Sequence, residues 1–402
     1  MSGRHTNTNR RAVIAGLGVT EMGAVYGRSS ADFAAEAVRL AAADAGLSMT
    51  DVDGLLTSGG TTGGVGLGLQ RELGLFDLKL LSEMQAFGST AGGMVQFASM
   101  AVESGMADTV ACVFADAPLR PGRAAGDVYS GGRRPDQGSA PLPPPAGWGG
   151  LLMSAGVVGA NTMYALAARR HMEKFGTTTE DFAAIAVAQR DWATMNPLAQ
   201  LREPITVEDH HASRWIADPF RKLDCCLVSN GGVAVIVTTE ERAANLARPP
   251  VHVLGWAQRH PGRLLDRDPN FGLVTGAAQS GPAALAMAGL SLNDIQVAEL
   301  YDCYTFTVLV SLEDYGFCEK GEGGAFVSSG AIGPNGSLKL NTGGGQLSAY
   351  YMWGMTPLSE AIIQVRGEGG DRQVHPHDTA LVSGNGGILD HHSTLVLGSS
   401  PS

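Results

Sequence analysis

Short unbroken apolar runs alternate along the chain with stretches whose apolar residues recur at helical spacing, the pattern of strands covered by helices. Residues 12–18 form an apolar run ending in glycine and predict a buried strand. Between residues 30 and 45, Phe33, Ala37, Leu40, Ala41 and Ala45 then lie at helical spacing. Ser29 or Ser30 can cap that helix, and Gly46 stops it. A strand is predicted over residues 53–57, a helix over 89–103 entered through Gly88, and a strand over 109–115. Strand, helix and strand in this order predict a parallel sheet with helical crossovers.

Residues 118–150 hold too many Pro and Gly for regular structure and are expected to form an irregular excursion, as a lid, a partner-facing loop or a linker. From Asn161 the pattern turns helical, and residues 180–195 suit an amphipathic helix with Thr179 as its cap. The first half then returns. Ala45-Gly-Leu-Ser-Met-Thr-Asp51 at the end of the first helix reappears as Ala288-Gly-Leu-Ser-Leu-Asn-Asp294, each followed by an apolar strand. We read two βαβ-rich halves, residues 1–250 and 251–402, related by a pseudo-twofold. The first carries the excursion and a helical loop domain over about 151–222.

A chain of 402 residues exceeds a usual single core, in keeping with two halves. Hydrophobic residues at 44%, charged residues at 17% and 55 glycines indicate compact α/β packing with many tight turns rather than disorder. A formal charge of −11 without a long basic run argues against nucleic acid as a partner. Five cysteines, Cys112, Cys225, Cys226, Cys303 and Cys318, follow no metal-ligand spacing and read as reduced, mostly buried thiols. No run reaches the length of a membrane span, and residues 12–23 are broken by glycines unlike a signal peptide. A cytoplasmic protein is expected.

The candidate chemistry centres on residues 341–355, NTGGGQLSAYYMWGM. Three consecutive glycines let backbone amides approach a ligand closely, and two phenols, Tyr350 and Tyr351, stand just past that bend. The plainer alternative is a Gly-rich turn leading into a helix whose aromatics fill the core.

The duplication, joined to segments such as residues 164–197, LDCCLVSNGG and AELYDCYTFTVLVSLEDYGF, resembles the thiolase superfamily over nearly the whole chain. It is most similar to the lipid-transfer-protein-like relatives of the sterol carrier protein x thiolases. The resemblance implies an α/β thiolase fold, five-layered αβαβα, a homodimer formed through the first-half sheet, and an acyl-CoA thioester substrate. It also implies departures. Ser89, in Ser89-Thr-Ala-Gly-Gly93, stands where thiolases carry the nucleophilic cysteine, and Ser383 stands at the second cysteine. Ser89 is weighed as a helix cap, and Ser383 as a turn residue with a hydrogen-bonding role, and both are kept as candidate oxyanion or substrate-positioning residues. Both catalytic histidines of the family fall on tyrosines, Tyr301 of Tyr301-Asp-Cys-Tyr304 and Tyr351, ten residues on from Asn341.

This tyrosine pair resembles the steroid side-chain retro-aldolases of the superfamily. The resemblance implies cleavage of a β-hydroxyacyl-CoA to a ketone and propionyl-CoA, and a small zinc-ribbon and OB-fold partner in a hetero-oligomer. No zinc-ligand set appears in this sequence, so zinc would belong to the partner. No cofactor is expected beyond the coenzyme A of the substrate. Retro-aldol cleavage needs a base, an acid and donors for an enolate oxygen, and no thiol. Tyr301 and Tyr351 are assigned the proton transfers, provided at least one is shifted below the usual phenol pKa of about 10. Backbone near Gly344, Gly345, Gly386 and Gly387 is assigned the enolate, with Asn341 as a further positioning residue. Asp302 is weighed as a loop-orienting residue and Cys303 as a packing one. The histidines, His171, His210, His211, His375, His377, His391 and His392, read as polar or surface residues. Two rival readings are a thiolase-like acyltransferase and a non-catalytic acyl-CoA or lipid carrier.

Overall fold

The computed structural model describes residues 10–126, 148–157, 159–262 and 268–401. In chain order the strands are β1 Ala12–Val19, β2 Gly54–Gly59, β3 Leu80–Glu83, β4 Thr109–Asp116, β5 Trp215–Ala217, β6 Phe220–Arg221 and β7 Gly231–Thr239. They continue with β8 Val251–Arg259, β9 Val297–Glu299, β10 Lys339–Leu340, β11 Thr379–Gly386 and β12 His391–Gly398. The main helices are α1 Ser30–Ala45, α2 Thr90–Glu103, α3 Gly159–Phe175, α4 Thr179–Thr194, α5 Ala277–Ala288, α6 Thr305–Tyr315 and α7 Met355–Val365.

The local signals for the repeat are met twice by the same physics. Ser29 caps α1 by accepting from the Asp32 amide, and Gly46 closes the helix in the left-handed region at φ 75°. In the second half α5 ends at Gly289, φ 68°. In both halves a serine and an aspartate then box a short turn, Ser48 with Asp51 and Ser291 with Asp294, before β2 and β9 begin. The α4 cap falls one residue earlier than expected. Thr178, whose extended backbone lets its hydroxyl reach the Asp181 amide, caps the helix, and Thr179 is already inside it.

Ten strands run in the order β10-β9-β11-β12-β8-β1-β7-β4-β2-β3 among the described residues. Read outward from the middle, each side repeats one order, β1-β7-β4-β2-β3 and β8-β12-β11-β9-β10, so the two halves are topologically equivalent. They meet where Val13 pairs with His252 and Ile14 with Val251. The sheet is mixed rather than parallel. The strands around β2 and those around β9 are parallel, whereas β7 and β12 pair antiparallel with both of their neighbours. A hairpin from β11 into β12 forces the antiparallel step in the second half.

Helices α2 and α7 touch strands of both sheet halves, α1 packs on the first half alone, and α5 packs on the second. That places a helical layer between two sheet layers with helices outside each, the αβαβα arrangement of a thiolase fold. Glycine permits the close central packing: a side chain at Gly92 would run into Ser393 of β12. Most of the Pro- and Gly-rich excursion, residues 127–147, lies outside the described residues. Its last residues are not irregular, since Trp148–Ser154 is helical.

Candidate active site

Two segments converge at the C-terminal ends of β9 and β10. Leu300, just past β9, donates its amide to the Asn341 side chain at 2.7 Å, tying the two strand ends together. Tyr301 follows immediately. On the other segment Asn341 turns the chain at φ 48°, and Gly344 and Gly345 hold φ 93° and 59°, a path that favours glycine. Asp302 secures this path. Its fully buried carboxylate accepts from the Gln346 amide at 2.8 Å and the Leu347 amide at 3.1 Å. Burial pushes its pKa up to about 7, against the opposing pull of those amides. Asp302 thus orients the loop, as weighed from its place beside Tyr301.

Tyr350 is extended, φ −160° and ψ 163°, so it and its neighbour face opposite ways. The Tyr350 hydroxyl pairs with Ser359 Oγ in the core at 2.7 Å, and burial pushes its pKa up to about 12. Tyr351 turns instead to a cavity, its amide donating to Ser229 Oγ at 3.0 Å. There its hydroxyl lies 3.3 Å from that of Tyr301.

The cavity holds about 550 Å³ and is lined largely by apolar and aromatic groups, among them Leu223, Val228, Ile388, Tyr164, Tyr304 and Trp353. Tyr301 and Tyr351 share its wall with Gly386 and Gly387. Arg214 and Lys222 add positive charge to the lining. Burial first, with the nearby Cys303 thiol next, holds the Tyr301 phenol well above its ordinary pKa. A downward shift is therefore not what Tyr301 shows. Its resting form is the neutral phenol.

Several expected site residues lie elsewhere. Asn341, Gly343 and Gly345 border a separate void of about 10 Å³, and Gly344 is pressed on Ala193 of α4. The Gly344 amide is already used by the Asn341 carbonyl at 2.8 Å. These glycines shape the loop rather than face the cavity. Ser89 does not cap α2 with its side chain: its hydroxyl is buried without a hydrogen bond, and Thr90 Oγ1 instead accepts from the Ala86 amide at 2.7 Å. Ser383 is a residue of β11 rather than of a turn, with Oγ 3.0 Å from His392 Nε2. Neither serine lines the cavity.

Three thiols do line it, Cys225, Cys226 and Cys303. Burial pushes Cys303 up to about 12 and holds Cys225 and Cys226 well above the ordinary thiol range, which keeps all three protonated. Cys303 packs, as expected. The histidines are less superficial than their spacing implied. His171 is buried 2.9 Å from Glu313, His210 is buried 2.8 Å from Asp224, and burial brings His392 down to about 3. Each fills an internal polar junction that sequence periodicity does not reveal. Among the described residues, no group of three or more His, Cys, Asp or Glu is placed to hold a metal ion, and no helix is long and apolar enough to cross a membrane.

Sequence reasoning missed Asn161, Tyr164 and Asn385 as cavity residues; Asn385 is fully buried, with neither amide atom hydrogen-bonded. Tyr304, within the Tyr301-Asp-Cys-Tyr304 run, had a usable signal, since it stands three residues from an assigned residue.

Residues 257–399 match the thiolase C-terminal domain-like family. The chain is 39% identical to a steroid side-chain-cleaving aldolase of Thermomonospora curvata, over 96% of this chain and 97% of that protein. It is also 39% identical to the 17-hydroxy-3-oxo-4-pregnene-20-carboxyl-CoA lyase of Mycobacterium tuberculosis, over 89% of this chain and 92% of that one. A solved Ltp2-ChsH2(DUF35) aldolase superposes with a TM-score of 0.83 at 35% identity, covering 97% of this chain and 98% of its own. With identity of this extent along its length, the chain belongs to the thiolase superfamily, among its steroid side-chain-cleaving aldolases.

Proposed function

We propose that this carbon–carbon lyase cleaves a β-hydroxyacyl-CoA whose hydroxyl sits on a steroid ring, giving a ketone and a short acyl-CoA such as propionyl-CoA. The observation that carries the reading is the pair of phenol hydroxyls 3.3 Å apart in the wall of a largely apolar cavity whose thiols are all held protonated. Such a wall can relay protons, and its protonated thiols are poor nucleophiles for a thioester to the enzyme.

Tyr351 takes the proton of the β-hydroxyl and passes its own to Tyr301, which protonates the enolate carbon. The electron pair of the hydroxyl O–H bond becomes the ketone π bond. The pair of the broken carbon–carbon bond moves into the thioester enolate and then into the new C–H bond. Each phenol gives one proton and receives one, so both begin and end neutral, in keeping with the raised pKa of Tyr301. A separation of 3.3 Å is long for an O–H···O bond, and such catalytic bonds tighten when substrate arrives. Backbone amides at Gly386 and Gly387 are proposed to receive the charge of the enolate oxygen.

The solved neighbour bears two names, Ltp2 and ChsH2(DUF35), which supports a partner for this chain as well. We place the chain as a cytoplasmic homodimer joined to two copies of a small zinc-ribbon and OB-fold protein, with any zinc in that partner and no cofactor here beyond the coenzyme A of the substrate. Incubating the chain and partner with a steroid 17-hydroxy-20-carboxyl-CoA thioester should release ketone and propionyl-CoA in equal amounts. Condensation of two acetyl-CoA molecules, or an acylated enzyme, would overturn the reading.

A further inference from the structure

Tyr304 stands in an aromatic stack, its ring 4.8 Å from Phe220 and 4.7 Å from Tyr164. The stack fixes its hydroxyl, which donates to Asn161 Oδ1 at 2.5 Å. The amide oxygen faces the phenol and accepts the one proton that the phenol has to place. Asn161 therefore has its Nδ2 left over. No hydrogen bond occupies that nitrogen among the described residues, the side chain is half-buried, and Asn161 lines the same cavity as Tyr301.

Asn161 shares its cavity with the chemistry: Asn161, Tyr164, Tyr304, Tyr301 and Tyr351 all line it. Tyr164 packs on Tyr304 and lines the cavity beside it. In a β-hydroxyacyl thioester the polar atom nearest the breaking bond, apart from the hydroxyl itself, is the thioester carbonyl oxygen, which collects the enolate charge. A neutral donor already aimed by the protein strengthens its bond as that charge develops.

We propose that Asn161 Nδ2 binds the thioester carbonyl oxygen of the substrate, and that Tyr304 is the positioning residue that aims it. This rests on the aldolase reading and adds a side-chain donor to it. The discriminating ligands are an acyl-CoA lacking the β-hydroxyl, which cannot be cleaved, and its thioether analogue, in which a methylene replaces the carbonyl. Wild-type protein with its partner should bind the thioester about tenfold tighter than the thioether. Asn161→Asp keeps an acceptor for Tyr304 but has no donor; it should lose that preference and about 100-fold in kcat, with a smaller change in KM. Tyr304→Phe, which frees the amide to turn, should show an intermediate preference. Asn161→Ala serves as the second donor-free variant, and thermal melts identify which variants fold.

A folded Asn161→Asp or Asn161→Ala that keeps the thioester preference overturns the proposal. So does an equal loss of affinity for thioester and thioether, which would put the recognised oxygen elsewhere. Absence of any preference in the wild type also overturns it. If the wild type shows the preference but cleaves no β-hydroxyacyl thioester, the aldolase reading fails and the donor stands. If Asn161→Asp cleaves at the wild-type rate, the donor alone fails.

Discussion

Gly88 forms the floor beneath Tyr301: a Cβ there would fall inside contact distance of both Cε2 and Cζ of the ring and of the Asn385 carbonyl oxygen. The ring can stay in place only while that position has no side chain. Gly88→Ala should cost about 1–3 kcal/mol of stability by overpacking. It should also lower kcat by at least about tenfold, because relief of the clash displaces the Tyr301 hydroxyl. Thermal melts and steady-state turnover check the two effects separately, and a folded variant with normal kcat would show that the placement of the ring does not matter.

The relay predicts a non-additive pair. Tyr301→Phe and Tyr351→Phe should each fold and lose about 10²- to 10⁴-fold in kcat, and the double variant should lose little more than either, since each single change already breaks one chain of proton transfers. Ser89→Ala should lose little, because that hydroxyl is outside the cavity. An active double Phe variant would remove the tyrosines from the mechanism.

The thiols offer a direct contrast with acyl transfer. Because burial keeps Cys225, Cys226 and Cys303 protonated, iodoacetamide at pH 7 should inactivate the folded protein slowly, at rates far below those of a free cysteine. Incubation with acetyl-CoA should leave no added acetyl mass on any cysteine peptide. Rapid inactivation with a single labelled thiol would favour the acyltransferase.

Asp302 predicts a pH dependence of stability. Its folded pKa of about 7 lies above its ordinary 3.8, so the native state keeps a proton that the unfolded chain has released. The associated stability is full below about pH 4 and is lost as pH rises through about 7. Asp302→Asn cannot titrate. Between pH 5 and pH 8 the melting temperature of the wild type should therefore fall further than that of the variant, whatever the variant's own offset. Parallel curves would mean that Asp302 does not hold the proton.

Much of the fold was legible because its signals are local. A left-handed Gly46 or Gly289 after an apolar helical stripe, followed by a Ser and Asp three apart, is readable without any neighbour, and its recurrence exposed the two halves. The phenols were found by position in a motif, and the structure brings their hydroxyls together. The glycines next to them were misplaced for a reason of the same kind: sequence shows that residues 343–345 can bend, but not which way the bend faces. That is settled by the Asp302 carboxylate and by Ala193, which sit far away in the chain.

By itself, then, the sequence determined the helix stops, the duplicated halves, and where the serines and phenols stand along the chain, since each is a property of one residue and its near neighbours. Tertiary structure alone decided that Ser89 and Ser383 stay out of the cavity, that His171 and His210 are buried in polar pairs, and that Asn161 meets Tyr304 across 143 positions. Burial and the aim of a side chain depend on which distant segments pack against it, and that information is shared between segments rather than written in either one.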